Sequence, residues 1–108
     1  MPSITLYTSA SHRLDAGVFA EFSTTLTRLA KEILKAKENN IHISYLTAEI
    51  GFGTPVYFEA KLRQEVFRTV PVLDEFMHQV DLLIKEKIGV TARIRCFSFE
   101  AGNIYAKN

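Results

Sequence analysis

The chain contains a single cysteine, Cys96, so no internal disulfide can form and a fold held by cross-links is excluded. No histidine falls on its strand pattern or on any obvious neighbour, so the thiol lacks a base and is expected to be buried and inert. Net charge is nearly absent, at +1 from 13 Lys and Arg against 12 Asp and Glu. That balance leaves no electrostatic footprint, and neither nucleic acid nor an anionic membrane is expected as a partner. No apolar run approaches the ~20 residues needed to cross a bilayer, and no basic-apolar-small signal segment precedes the first strand pattern. A cytoplasmic location is the expectation. Histidines are few: His12, His42 and His78 fall on different elements without ligand-like spacing, so neither metal nor cofactor is expected. The Gly51-Phe52-Gly53 triplet is too short for a phosphate loop, and no helix pattern opens after it.

What is present is a repeated pattern. At 108 residues and 47% hydrophobic, the chain suits one domain, 1–108. Ser3 to Thr8 alternates as a half-buried strand. After the turn SASHRLD, apolar Phe19, Phe22, Leu26, Leu29, Ala30, Ile33 and Leu34 recur at three and four, predicting a helix from Ala16 to about Lys37. Asp15 reads as its N-cap and Asn39-Asn40 as its stop. Ile41 to Thr47 alternates again, and EIGFGTP forms a connecting loop. The second copy runs through a strand at Val56 to Arg63, a helix opened by Thr69 and Pro71 and ended by Gly89, and a strand at Thr91 to Phe99. Ile104-Tyr105 reads as a short edge strand. Two strand-helix-strand units predict an α+β fold, with a four-stranded mixed sheet carrying both helices on one face. The other face would carry Thr5, Tyr7, Tyr57, Glu59, Lys61, Arg93, Arg95, Phe97 and Phe99. This mixture is too apolar for water and too charged for a dry core, so subunit contact is expected there.

Three places could do chemistry. Arg13 and Arg68 each stand just before a predicted helix, where unpaired backbone N–H groups favour an anion and a guanidinium adds a two-pronged clamp for a carboxylate. Pro2 shares strand parity with Ile4 and Leu6. Freed of Met1, its secondary amine would sit in an apolar setting near arginines, and both influences lower its pKa toward a value suited to a general base. With Met1 retained, the same nitrogen is an amide without basicity.

The opening PSITLYTSASHRL and the segment VYFEAKLRQEVFRT, set in this element order, resemble the tautomerase superfamily, which includes 4-oxalocrotonate tautomerase, 5-carboxymethyl-2-hydroxymuconate isomerase and macrophage migration inhibitory factor. The resemblance covers nearly the whole chain in element order. It implies a trimer around a central channel and a site at each subunit junction. There Pro2 would move a proton between carbon and oxygen of a small carboxylate substrate, an enol or keto acid. It also implies that Arg63 and Arg68 bind the carboxylate, that Arg13 matches the turn arginine with a one-residue offset, and that Phe97 stands where the dehalogenases of the family use a tyrosine. The turns His12-Arg13-Leu14 and Phe67-Arg68-Thr69 depart from the family's Gly-Arg-Ser or Gly-Arg-Thr. Phe97 lacks a hydroxyl to activate water, and Arg28-Leu29-Ala30 stands where those dehalogenases carry a histidine, which disfavours hydration or dehalogenation. Two other readings are a noncatalytic tautomerase-like protein that keeps Met1 and binds an anion or a protein partner, and a ferredoxin-like ligand-binding module with the same element order.

Overall fold

In the computed structural model, which describes residues 1–108, the strands are β1 (Ser3–Thr8), β2 (His42–Thr47), β3 (Val56–Arg63) and β4 (Arg93–Phe99). The helices are α1 (Ala16–Ile33) and α2 (Val70–Lys87). The sheet runs β2-β1-β3-β4, with β1 parallel to β2, β3 parallel to β4, and an antiparallel β1–β3 pair at the centre. This is the expected α+β architecture. It excludes the ferredoxin-like alternative, whose strand-helix-strand units are split by an intervening strand, because here β1 and β2 are direct neighbours.

Alternation in the strands decides which face is covered. Ile4, Leu6, Val56, Phe58, Ala60 and Leu62 are buried and form one core cluster with Phe22, Leu26, Leu29, Phe76, Val80, Leu83 and Ile84 from the helices. Each of these side chains other than that of Ala60 contributes about 1.5–3 kcal/mol by leaving water. Asp15 caps α1 by accepting a hydrogen bond from Val18 N–H at 2.8 Å, a contact that contributes about 1 kcal/mol. Thr69 occupies the N-cap of α2 with Pro71 in its first turn, and Gly89 closes that helix at φ 83°, where a side chain would be strained. Tyr45 ties the first unit together: its hydroxyl accepts from Leu14 N–H at 2.8 Å and lies 2.7 Å from Thr8 Oγ1, while its ring packs against Phe19.

Three expectations are corrected. The helix predicted to reach Lys37 and stop at Asn39-Asn40 ends at Ile33, because Lys35 takes a left-handed φ of 53°. The turn lets both Leu34 and Ala36 donate their N–H groups to Ala30 O and bury their side chains. A lysine in that region costs about 1–2 kcal/mol relative to glycine. Ile104-Tyr105 adds no strand; a short 3-10 turn at Ala101–Asn103 precedes it, and Tyr105 is exposed. Cys96 lies opposite Ala60 in the register and is half-buried rather than buried, with burial pushing its thiol up to about 11.

On the uncovered face Tyr7 stacks on Tyr57 with ring centroids 5.6 Å apart. Phe97 and Phe99 stand there in register with Lys61 and Arg63. No helix is long and apolar enough to cross a membrane.

Candidate active site

The antiparallel β1–β3 pair sets Ser3 opposite Lys61, so the start of β1 and the end of β3 lie at the same end of the sheet. Arg63 closes β3, and a short turn brings Arg68 back to that end, immediately before the N-cap of α2. The connector after α1 passes the same place, since Pro2 O accepts a hydrogen bond from His42 N–H at 3.1 Å. Three segments distant in sequence therefore enclose a cavity of about 450 Å³.

Its charged lining is lopsided. Lys35, Lys37, Arg63 and Arg68 face a single carboxylate, Glu65, and Met1, Asn40 and Phe67 complete the wall. None of these four cations lies in an ion pair. A cavity of about 460 Å³ on the outer surface of α1 makes the contrast. There Arg28 pairs with Glu32 at 3.1 Å and Lys31 with Glu38 at 3.9 Å, so its charges already neutralise one another.

Arg68 is the anchor. It is only 9% exposed, and its Nε donates to Leu34 O at 3.0 Å while Nη1 donates to Arg63 O at 2.8 Å. Its guanidinium carbon lies 5.5 Å from the centre of the Phe67 ring. An arginine has five N–H donors, so three remain for an anion in the cavity. Burial pulls the guanidinium below its ordinary value; Glu65 opposes this and Arg63 adds to it. Arg63 is exposed, and its side chain makes no hydrogen bond within the chain.

The N-terminal amine of Met1 feels the same surroundings. Burial, then Arg63, then Arg68 hold it below its ordinary value of 8.0. Pro2, the next residue, is buried.

Of the residues singled out in the sequence, Arg63 and Arg68 line one cavity, and Pro2, which does not line it, follows Met1, which does. Arg13 does not line it either: it follows β1, at the end of that strand remote from Pro2, and a six-residue strand spans about 20 Å. There it lines a separate shallow cavity with Leu14, Asp15 and Ala16. Phe97 lies on the open sheet face and does not line the cavity at the chain start. Lys35, Lys37, Asn40, Glu65 and Phe67 escaped notice in the sequence. The two lysines fall within the helix expected to reach Lys37, and the early end of α1 brings them to the cavity.

No family model matches the chain, and no curated protein matches it either. Solved structures do. A member of the cis-3-chloroacrylic acid dehalogenase family superposes with a TM-score of 0.82 at 16% identity, over 97% of this chain and 80% of that one. A macrophage migration inhibitory factor-like protein from Entamoeba histolytica gives 0.77 at 12% identity, over 98% and 95% of the two chains. A symmetric trimer of wild-type fused 4-OT gives 0.77 at 14% identity, over 98% and 94%. At such identities the likeness is one of fold alone: this chain is built like these structures, which belong to the tautomerase superfamily.

Proposed function

We propose that the chain is a cofactor-independent tautomerase acting on a small unsaturated or 2-oxo carboxylic acid, with the amine of Pro2 as general base once Met1 has been removed. The observation that carries this reading is the cavity at the chain start, where Arg63 and Arg68 stand beside the N-terminal amine without a carboxylate paired to either. Arg63, exposed and unengaged, grips the substrate carboxylate, and the remaining donors of Arg68 complete the clamp. Pro2 N takes the proton of the enol hydroxyl. The oxygen electron pair then closes the C=O bond, the C=C electrons move onto carbon, and that carbon takes the proton back from the Pro2 ammonium. Cationic groups near the oxygen stabilise the charge that develops on it.

The pH dependence tests the assignment. Burial, Arg63 and Arg68, which depress the Met1 amine, would bear in the same direction on a freed Pro2 amine, and the base works only unprotonated. We expect kcat/KM for enol–keto conversion to rise with pH and level off at an apparent pKa below the ordinary α-amino value of about 8. Arg63→Gln removes one of the depressing charges and moves that limb to higher pH. The sign for folding follows from the same shift: the unfolded chain binds more protons between the depressed value and 8.0, so stability rises with pH across that window. A limb that stays in place in Arg63→Gln removes the amine from the mechanism.

The open sheet face, with Tyr7 stacked on Tyr57 beside Phe97 and Phe99, is assigned to contact between copies of the chain, and the trimeric 4-OT structure supports three. Light scattering is expected to return three times the 12.2 kDa chain mass; a monomer would leave that face without a partner and sink the assignment. One observation favours a second reading. Met1 itself lines the cavity, and while it stays the nitrogen of Pro2 is a tertiary amide, so the same cations would then serve an anion-binding protein without catalysis.

A further inference from the structure

The connector between β2 and β3, residues 48–55, crosses the end of β1 that is remote from Pro2. It is pinned there at both ends: Ala48 N–H donates to Thr8 O at 2.8 Å, and Ser9 N–H donates to Pro55 O at 2.9 Å. Thr54 Oγ1 donates to Thr91 O at 3.3 Å and so ties the connector to the segment before β4. Gly53 makes the turn between these ties at φ 105°, which a side chain would resist. The connector thereby encloses a cavity of about 610 Å³ with the first residues of β3 and β4, larger than the one at the chain start.

The lining combines three kinds of group. Ile50 and Phe52 are apolar and exposed, Phe52 wholly so. Tyr57, stacked on Tyr7, adds a second ring, and it stands opposite Arg93 in the register. Burial, then Glu59, hold the Tyr57 phenol above its ordinary value against the pull of Arg93 and Arg95, so its hydroxyl keeps a proton to donate. The charges are one of each sign, Arg93 and Glu49, and neither lies in an ion pair with the other or with any other side chain.

We propose that this cavity binds a free aromatic amino acid as its zwitterion, the carboxylate at Arg93, the ammonium at Glu49 and the ring against Phe52 and Tyr57. A simple acid would set its charge beside Glu49 without satisfying it, an amine would do the same to Arg93, and an aliphatic amino acid would leave the Phe52 ring in water. The inference is independent of the tautomerase reading, since the two cavities share no lining residue.

Calorimetric titration of the full chain, in the oligomeric state it adopts, with L-phenylalanine, L-alanine and 3-phenylpropionate tests this. Phenylalanine is expected to bind about tenfold more tightly than alanine, which lacks the ring, and than 3-phenylpropionate, which lacks the ammonium. Glu49→Gln is expected to lower the affinity for phenylalanine about tenfold and to leave 3-phenylpropionate within about twofold, and Arg93→Gln to weaken phenylalanine to a similar extent. Both side chains are exposed, so a thermal melt matching wild type verifies that the fold is kept. Arg63→Gln alters the other cavity and is expected to leave phenylalanine binding within about twofold. A loss in Arg63→Gln without one in Arg93→Gln would place the ligand at the chain start and overturn the proposal. Equal affinity for phenylalanine and alanine removes the rings from recognition, and equal affinity for phenylalanine and 3-phenylpropionate removes Glu49; either result overturns it. So does absence of phenylalanine binding, the outcome when a neighbouring copy fills the cavity.

Discussion

Protein that begins at Pro2 is expected to convert the enol form of a small 2-oxo carboxylic acid to its keto form about 10²–10⁴-fold faster than protein that keeps Met1, the usual contribution of a positioned general base. The two preparations differ by one residue at the cavity wall and can be told apart by intact mass. Chemistry at the nitrogen separates them: a secondary amine holds a lone pair available for a proton, whereas the amide formed with Met1 delocalises that pair into the carbonyl. Retained Met1 also places its own amine in the cavity, with a pKa lowered by burial and by Arg63 and Arg68. That primary amine is displaced by one residue from the position Pro2 would offer, so it does not replace Pro2. Equal rates for the two preparations would eliminate Pro2 as the base and leave the cavity as an anion-binding site.

Arg68→Met is expected to destabilise the fold by roughly 2–6 kcal/mol, since the carbonyls of Leu34 and Arg63 each lose a charged donor at about 1–3 kcal/mol apiece. Against a total stability on the order of 5–15 kcal/mol, this is a large fraction, and urea titration will read it directly. Arg63→Met should behave oppositely. Its side chain is exposed and makes no contact that the fold needs, so the melt stays within about 0.5 kcal/mol of wild type while carboxylate affinity falls. The two arginines look equivalent in the sequence and are not. One clasps the end of β3 to the residue that follows α1; the other is exposed and makes no side-chain hydrogen bond. Wild-type stability in Arg68→Met would show that its hydrogen bonds to Leu34 and Arg63 do not hold the segments together.

The architecture was legible because the strand and helix periods are clean. Val56 to Arg63 alternates without a fault, and the cap residues Asp15, Thr69 and Gly89 stand where helices begin and end. Sheet order was not legible, since β1 could have paired with several partners; direct β1–β2 contact is a tertiary fact that decides between two folds with one element order. The site was legible in part. Pro2, Arg63 and Arg68 were named from the sequence, yet the structural duty of Arg68 depends on Leu34 O, a carbonyl 34 residues away in the chain. Lys35 and Lys37 were hidden by an apolar periodicity that continues through Ile33 and Leu34, and nothing local announces the left-handed turn at Lys35. Arg13 shows the converse error: matching positions in two sequence halves become opposite ends of the sheet once the central pair is antiparallel.

The place of β1 in the sheet also governs timing during synthesis. β1 lies between β2 and β3, so its ladder with β3 cannot close until the chain has been made as far as Lys61, its partner for Ser3, whereas its ladder with β2 can close once Thr47 is made. At ordinary elongation rates the stretch from Ser3 to Lys61 takes roughly 3–12 s to make. Synthesis order thus lets the bond from His42 to Pro2 form before the ladder that completes the centre of the sheet.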